Sequence, residues 1–371
     1  MLGDVTINFD RHRKPVKAAE RAAGPYPYYG ASGVVDHVSD YLFNGEYLLV
    51  AEDGENLRTR KTPVAFIATG KFWANNHAHV LKGNELANTY YLAYAIERLD
   101  LSGYLTGSTQ PKLTQAALNS IRINLPEKNE QDAIAAVLRA LDDKIAVNDH
   151  IAAASRELGK SLYQSAVNES SQEIVVGKLS DLLTRGQAPR YIKESTGTTV
   201  LNQKCVRGGR IVLEPARMTE ADRVKPDRIL QKYDILVNST GVGTLGRVGI
   251  WSHNAAATTD SHITIIRIAP PVPAIIGGFA LLAAQPEIEA LGEGSTGQTE
   301  LNRSKLASLV VRIPTRNVEE LAGRLSGLED RADAALIESK TLTKVRDSLL
   351  PELMSGRLRV REALDVVEEA P

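Results

Sequence analysis

The chain has 371 residues, 43% of them hydrophobic, a single cysteine and a formal net charge of −1. That length implies two or three domains, the lone Cys205 excludes a disulfide framework and a cysteine-based zinc site, and the most apolar run, 274–284, is too short and glycine-broken to span a bilayer. A cytoplasmic protein without a membrane partner is expected.

The near-zero charge conceals a segregation. Residues 127–149 hold six acids against three bases, 317–339 hold six against two, and the last ten residues hold four acids and no base. Everything else therefore carries +10, which points to a polyanionic partner for the blocks outside these acidic stretches.

In chain order, residues 1–126 read as a mixed globular block. It opens on Leu2-Gly3-Asp4-Val5 and a basic run (Arg11, Arg13, Lys14, Lys17), followed by the turn-rich Tyr26–Gly33 stretch. Tyr47–Ala51 and Val64–Ala68 read as strands, Asn75–Leu81 as a turn entering a strand, Tyr90–Leu99 as a helix, Gly107–Leu113 as a polar loop and Leu118–Leu125 as a strand. Residues 127–168 then lack proline and place Ile134, Leu138, Leu141, Ile145, Asn148 and Ala152 at 4-3-4-3 spacing. That spacing marks a helix laying one seam on a partner helix, and about 40 residues at 1.5 Å each would reach roughly 60 Å. Asn148 on this seam is either a buried register-setting residue or a solvent-side one.

Residues 175–314 repeat the plan. Leu179–Leu182 answers Leu2–Val5, Tyr233–Val237 answers Tyr47–Ala51, Thr259–Ile263 answers Asn75–Val80, Gly294–Gln298 answers Gly107–Gln110, and Leu306–Pro314 answers Leu118–Pro126. Residues 315–358 again read as a long helix, with Leu321, Leu325, Leu328, Ala332 and Ala335 on its seam, and 359–371 as an acidic tail. The period is far too long for a solenoid; it is a duplication of a domain plus helix. The obvious partner of one long helix is the other, although the alanines of the second seam imply looser pairing.

Enzyme signatures are sparse. Gly241-Val242-Gly243-Thr244-Leu245-Gly246 fits a dinucleotide-binding fingerprint, but strand-like residues follow it where a helix N-terminus is required. There is no phosphate-binding P-loop, and Ala269 before Pro270-Pro271 breaks the amino-methyltransferase signature. His77 and His79 read as turn residues rather than a metal pair, with His79 and His262 entering a strand in each copy. Asp142-Asp143 and Glu329-Asp330 read as solvated faces or partner contacts.

What remains is recognition chemistry: polar and cationic side chains suited to base edges and phosphates. The candidates in the first block are Arg11, Arg13, Lys14, Tyr28, Tyr29, Ser32, Lys71, Asn75, Asn76, Ser108, Thr109, Gln110 and Lys112. In the second they are Arg185, Arg190, Arg207, Ser239, Thr240, Thr244, Arg247, Thr259, Ser261, Ser295, Thr296 and Gln298. Tyr26–Tyr29 reads equally as domain core.

This ensemble resembles the specificity (S) subunits of Type I DNA restriction–modification systems. The resemblance rests on the duplicated plan, Tyr-Tyr-Gly-Ala-Ser-Gly at 28–33, Asp-Ile-Leu-Val-Asn-Ser-Thr-Gly at 234–241 with Gly-Arg-Val-Gly at 246–249, and the polar loops at 107–113 and 294–301. Leu-Pro-x-x-x-x-Gln at 125–131, Leu-Asp-Asp-Lys-Ile at 141–145 and Leu-Leu-Pro-Glu-Leu-Met-Ser-Gly-Arg-Leu at 349–358 add to it. The chain opens directly on Leu2-Gly3-Asp4, where many members carry a short leader.

The resemblance implies an α+β fold. Two similar α/β target recognition domains (1–126 and 175–314) would be separated by a pair of long antiparallel helices forming a coiled coil (127–168 and 315–358), with pseudo-twofold symmetry. Each domain would read one half of a bipartite double-stranded DNA target, and the helices would set the gap. The helices would also dock two methyltransferase subunits, with motor-nuclease subunits joining the complex. Gln131, Leu138, Leu141, Asp142, Lys144, Ile145, Leu325, Leu328 and Arg331 are the expected partner-binding positions. The subunit itself would be non-catalytic and bind no metal or cofactor, with S-adenosylmethionine, ATP and Mg expected in the partner subunits. The alternative is a non-enzymatic coiled-coil scaffold that binds protein partners only.

Overall fold

A computed structural model of the chain describes residues 1–193, 196–293 and 300–368. It divides into two compact units: Met1–Ala146 with the chain from Ser339 onward, and Val147–Glu338.

In the first unit a four-stranded antiparallel sheet runs in the order Thr6–Asn8, Ala78–Gly83, Tyr47–Ala51, Ala65–Ala68. Its central strand, Tyr47–Ala51, is apolar on both faces because both are covered. Leu48 and Val50 point into a cluster with Leu2, Leu92 and Ile96. Leu49 points the other way, among Phe43, Phe72 and Val80. A second sheet, Gly33–Val38, Ala23–Gly30, Lys71–Ala74 and Phe43–Asn44, contains a parallel pair that sets Tyr28 beside Trp73.

The helix Thr89–Arg98 starts where the Asn88 side chain accepts the Tyr91 N–H, an N-cap that satisfies one orphan donor of the first turn. Its Leu92 and Ile96 pack on the sheet. Its Tyr91 and Ala95 pack on Ile134, Leu138 and Leu141 of the first long helix, Lys128–Glu169. The expected strand at Leu118–Leu125 is a correction. Thr114 accepts the Ala117 N–H and caps a short helix, Gln115–Ser120, so Leu118 is helical and residues 121–127 form no strand.

The second unit repeats the architecture. Ser180–Arg185, Ile263–Ile268, Ile235–Asn238 and Val248–Ile250 lie in the same antiparallel order, and Thr198–Leu201 runs parallel to Ala257–Thr259. Ile235 and Val237 face one core while Leu236 faces another, with Trp251, Leu201 and the buried Cys205. Burial pushes the Cys205 thiol up.

Hydrogen bonds set the repeat register and correct two pairings. Leu2 N–H bonds Ile121 O as Val176 N–H bonds Leu309 O, so Val176–Leu179, not Leu179–Leu182, is the counterpart of Leu2–Val5. Glu52 N–H reaches His77 O as Ser239 N–H reaches His262 O. His77 N–H bonds the Asn75 side chain as His262 N–H bonds Asp260. The counterpart of His262 is therefore His77; the position of His79 is taken by Thr264.

The second long helix spans Val318–Ser355. In the first unit Arg346 bonds Asp142 and Ser339 bonds the Ile145 carbonyl, so the two segments there run antiparallel. In the second unit Asn148 donates to Glu338 at 2.8 Å and Arg156 to Glu329 at 3.3 Å, again antiparallel. Asn148 is 1% exposed, which selects its buried reading. Glu329 corrects the solvated reading: it is 4% exposed and held by Arg156, which also lies 3.5 Å from Asp333. Burial raises the Glu329 carboxyl, and the Arg156 charge opposes that shift. The acidic tail is not all irregular, since Val360–Glu368 is a helix with Ala363 fully buried.

Gly159 of the first long helix faces the Phe279 ring of the helix Ala274–Ala283. A Cβ there would lie 2.9 Å from the Phe279 ring and 3.6 Å from Leu325, whereas one at Gly323 would meet open space. Opposite signs are expected. Gly159→Ala gains helix propensity of about 1 kcal/mol but overpacks by about 1–3 kcal/mol, a net loss. Gly323→Ala gains roughly 0.5–1 kcal/mol. Urea denaturation of both variants checks this.

Candidate nucleic-acid interface

In the first unit, four loops are tied together at one end of the sheet by a buried ionic cluster. Arg13 reaches Glu52 at 2.7 Å, Asp10 at 3.4 Å and the Ala78 carbonyl at 2.8 Å. His79 is 1% exposed, with Nδ1 2.6 Å from Asp10 and Nε2 2.8 Å from the Leu113 carbonyl, and Lys112 reaches Glu52 at 3.2 Å. Burial pushes the Asp10 carboxyl up. The His79 hydrogen bond and charge, the Val80 N–H and Arg13 together outweigh it and hold the group below its usual range.

Asp10, Glu52 and His79 present ligand atoms within 4.8 Å of one another. A guanidinium already bridges both carboxylates, so the arrangement serves as an ion-pair lock. His77 turns elsewhere, to Asp53 at 2.8 Å, so the two histidines do not converge.

Asp10→Asn removes charge that Arg13 and His79 face, and is expected to cost about 3 kcal/mol at neutral pH. The sign is that of a depressed carboxylate. Its stabilisation is present above the unfolded value near 3.9 and lost as pH falls through the lower folded value, so the gap between variant and wild type should close below about pH 4. Thermal unfolding across pH 3–7 checks it.

This lock gathers Arg13, Lys14, Asn75, Asn76 and Lys112, with Arg11 exposed on the adjoining turn and Ser108, Thr109 and Gln110 exposed on the 106–112 loop. Ser32 is exposed on the hairpin end beside Asn75. The structure places other candidates in the framework. Tyr28 is 1% exposed, its hydroxyl accepts the Val16 N–H, and Arg21 covers its ring at 4.3 Å, so it is core rather than base contact. Asn75 is buried and shapes the turn. Tyr29 is half-buried against Phe66 and Phe72, and burial raises its hydroxyl. Lys71 sits at the far end of its strand, over the rings of Tyr41 and Tyr26.

The second unit builds the same end differently. Where Glu52 and His79 stand, Ser239 and Thr264 form a fully buried hydroxyl pair at 2.6 Å. Arg185 bonds the Leu301 carbonyl at 2.9 Å, the job His79 does for Leu113, and reaches Ser261 O and Glu300. Thr240 joins Gln203 at 2.5 Å and His262 at 2.9 Å, and Arg247 pins the glycine loop through the Gly243 carbonyl. Thr244 is half-buried in that loop, which leads into the strand Val248–Ile250 and not a helix.

Arg185, Thr240, Thr244, Arg247 and Ser261 are thus brought together, and Arg190 lies exposed beside Glu220. Ser239 and Thr259 are fully buried framework. Arg207 instead lines a 640 Å³ cavity with Arg156, Lys160 and Arg210. Ser295, Thr296 and Gln298 lie outside the described residues. Sequence reasoning missed Gln203 and the Asp10–Glu52 pair. The shared histidine turn was the available signal for the first loop cluster, and nothing local marked Gln203.

Of the expected partner positions, Gln131, Leu138, Leu141 and Leu325 are buried inside their own unit, and Gln131 bonds Leu86 O and Pro126 O. These four are correspondingly internal, because they fill the seam and the domain–helix core. Asp142, Ile145 and Leu328 are half-buried, whereas Lys144 and Arg331 are exposed. No helix among the described residues is long and apolar enough to cross a membrane.

The family model for the Type I restriction modification DNA specificity domain matches residues 1–154. A putative type I restriction enzyme specificity subunit of Haemophilus influenzae is 39% identical over 140 residues, 38% of this chain and 36% of that protein, so the chain matches about a third of that relative's length. A Type I restriction enzyme specificity subunit of Methanocaldococcus jannaschii is 22% identical over 97% of this chain and 92% of its own. The crystal structure of a Type I restriction–modification S subunit from M. genitalium shares the fold, with a TM-score of 0.69 at 15% identity over 95% of this chain and 94% of that one. The α+β architecture, with its duplicated domains and two long helices, agrees with these matches, and over its first 154 residues the chain is similar to Type I restriction modification DNA specificity domains.

Proposed function

We propose that this chain is the DNA-reading subunit of a Type I restriction–modification complex, each globular domain recognising one half of a bipartite duplex target. The observation that carries the reading is the duplicated loop end. In the first copy a buried polar framework presents the exposed Arg11, Lys14, Asn76, Ser108, Thr109, Gln110 and Lys112, and in the second the matching end gathers the half-buried Arg185, Thr240, Thr244, Arg247 and Ser261, the types that bond base edges and phosphates. In this reading the subunit catalyses nothing. Methyl transfer, motor and nuclease chemistry, with S-adenosylmethionine, ATP and Mg, belongs to its partners.

The helices support docking of methyltransferase subunits. Val147, Ile151, Ala154 and Leu158 repeat at 4-3-4 spacing on the first long helix, and Val147 and Leu158 are 53% and 50% exposed. Such a stripe fits a partner helix. The scaffold alternative explains this stripe but gives the two cationic loop ends no role.

Salt titration of DNA binding by the assembled methyltransferase complex tests the proposal. Log affinity should fall linearly with log salt, by about 0.9 per phosphate neutralised. A flat response would overturn it.

A further inference from the structure

The first domain is joined to its helical segments by directional polar bonds. Asp142 of the first long helix receives the Tyr94 hydroxyl on Oδ2 at 2.5 Å and the Arg346 guanidinium on Oδ1 at 2.7 Å. Tyr94 belongs to the helix Thr89–Arg98 and Arg346 to the second long helix, so one carboxylate ties three elements. Beside it Tyr90 bonds Glu46 at 2.8 Å, and Arg139 lies over the Tyr90 ring at 4.3 Å. Burial and the Asp142 bond both push the Tyr94 hydroxyl up, so it stays a donor.

The second unit has no matching triad among its described residues. There the helix Ala274–Ala283 packs Phe279 on Tyr163 and Gly159. Polar contacts between this unit's domain and the long helices are an exposed pair on Asp330, from Lys232 at 2.8 Å and Tyr233 at 3.4 Å, and the Tyr163 hydroxyl, which donates to the Arg312 carbonyl. Apolar packing tolerates small rotations, whereas a hydrogen bond weakens steeply with angle.

The geometry points to Tyr94, with Asp142 and Arg346, as the positioning device that fixes the angle of the first reading domain, and so the separation at which the two half-sites are accepted. A tilt of about 7° across a domain roughly 30 Å wide moves its far loops by about 3.4 Å, one base-pair rise. Tyr94 touches no base; it acts by holding the loops in place. This inference rests on the DNA-reading proposal.

The test uses the complex assembled with its methyltransferase subunits. Methylation is measured on duplexes carrying both half-sites at the native gap and at one base pair more and less. Wild type should methylate the native gap selectively. Tyr94→Phe, which keeps the ring and its packing, and Asp142→Asn should each raise the ratio of off-gap to native-gap methylation about tenfold, with both half-site sequences unchanged. Asp142→Glu, which can still accept both donors, should restore much of the selectivity. Unchanged gap selectivity in Tyr94→Phe and Asp142→Asn would overturn the inference while leaving the DNA-reading proposal intact. Methylation by wild type that ignores the half-sites would overturn that proposal, and this inference with it.

Discussion

If the proposed DNA-reading function holds, replacing residues 1–126 by the corresponding domain of a Type I specificity subunit is expected to change one half of the methylated sequence completely and leave the other half as it was. The ground is the independence of the two cores. The first domain's central strand is buried between Leu2, Leu92 and Ile96 on one side and Phe43 and Phe72 on the other, all from its own block. Its loop end is locked by Asp10, Arg13, Glu52 and His79, again all local. An exchange should carry this lock with it, provided the new domain still offers an apolar face to Ile134, Leu138 and Leu141. Mapping methylated positions across a genome before and after the exchange measures the effect. A change in both halves, or in neither, would show that the loop ends are not separate readers.

The second large effect concerns length. Removing a matched heptad from each long helix, residues 149–155 and 331–337, is expected to shorten the accepted gap by about three base pairs, since seven residues at 1.5 Å give roughly 10 Å. Both deletions are needed because the helices run antiparallel, with Asn148 opposite Glu338 and Arg156 opposite Glu329. Deleting whole heptads keeps the seam in register, with Gly159 taking the place that Ala152 held four residues after Asn148. A complex that still methylated only the original gap would refute the idea that the helices measure distance.

Much of this architecture was legible in the chain. The 4-3-4-3 seam identified the first long helix because burial repeats with helical period, and Ile134, Leu138 and Leu141 are indeed buried. The duplication was visible because turns, strands and polar loops recur in order. What escaped depends on partners far apart in sequence. Glu329 looks like a surface acid until Arg156 is brought to it from 173 residues away. Tyr28 looks like an aromatic poised for a base until Arg21 and the Val16 N–H close over it. Leu118–Leu125 alternates as a strand should, but the Thr114 cap starts a helix first. The repeat slipped by three residues at Leu179 because two leucine-bearing tetrapeptides fit equally, and only backbone hydrogen bonds distinguish them.

Cys205 is the sole thiol in the chain and is fully buried in the second domain's core. A maleimide dye added to the native protein therefore has no accessible target, and cysteines installed at exposed Ser108 and Arg190 would take label cleanly. Energy transfer between that pair would follow the distance between the two loop ends in solution, with DNA and without it, on a background free of wild-type signal.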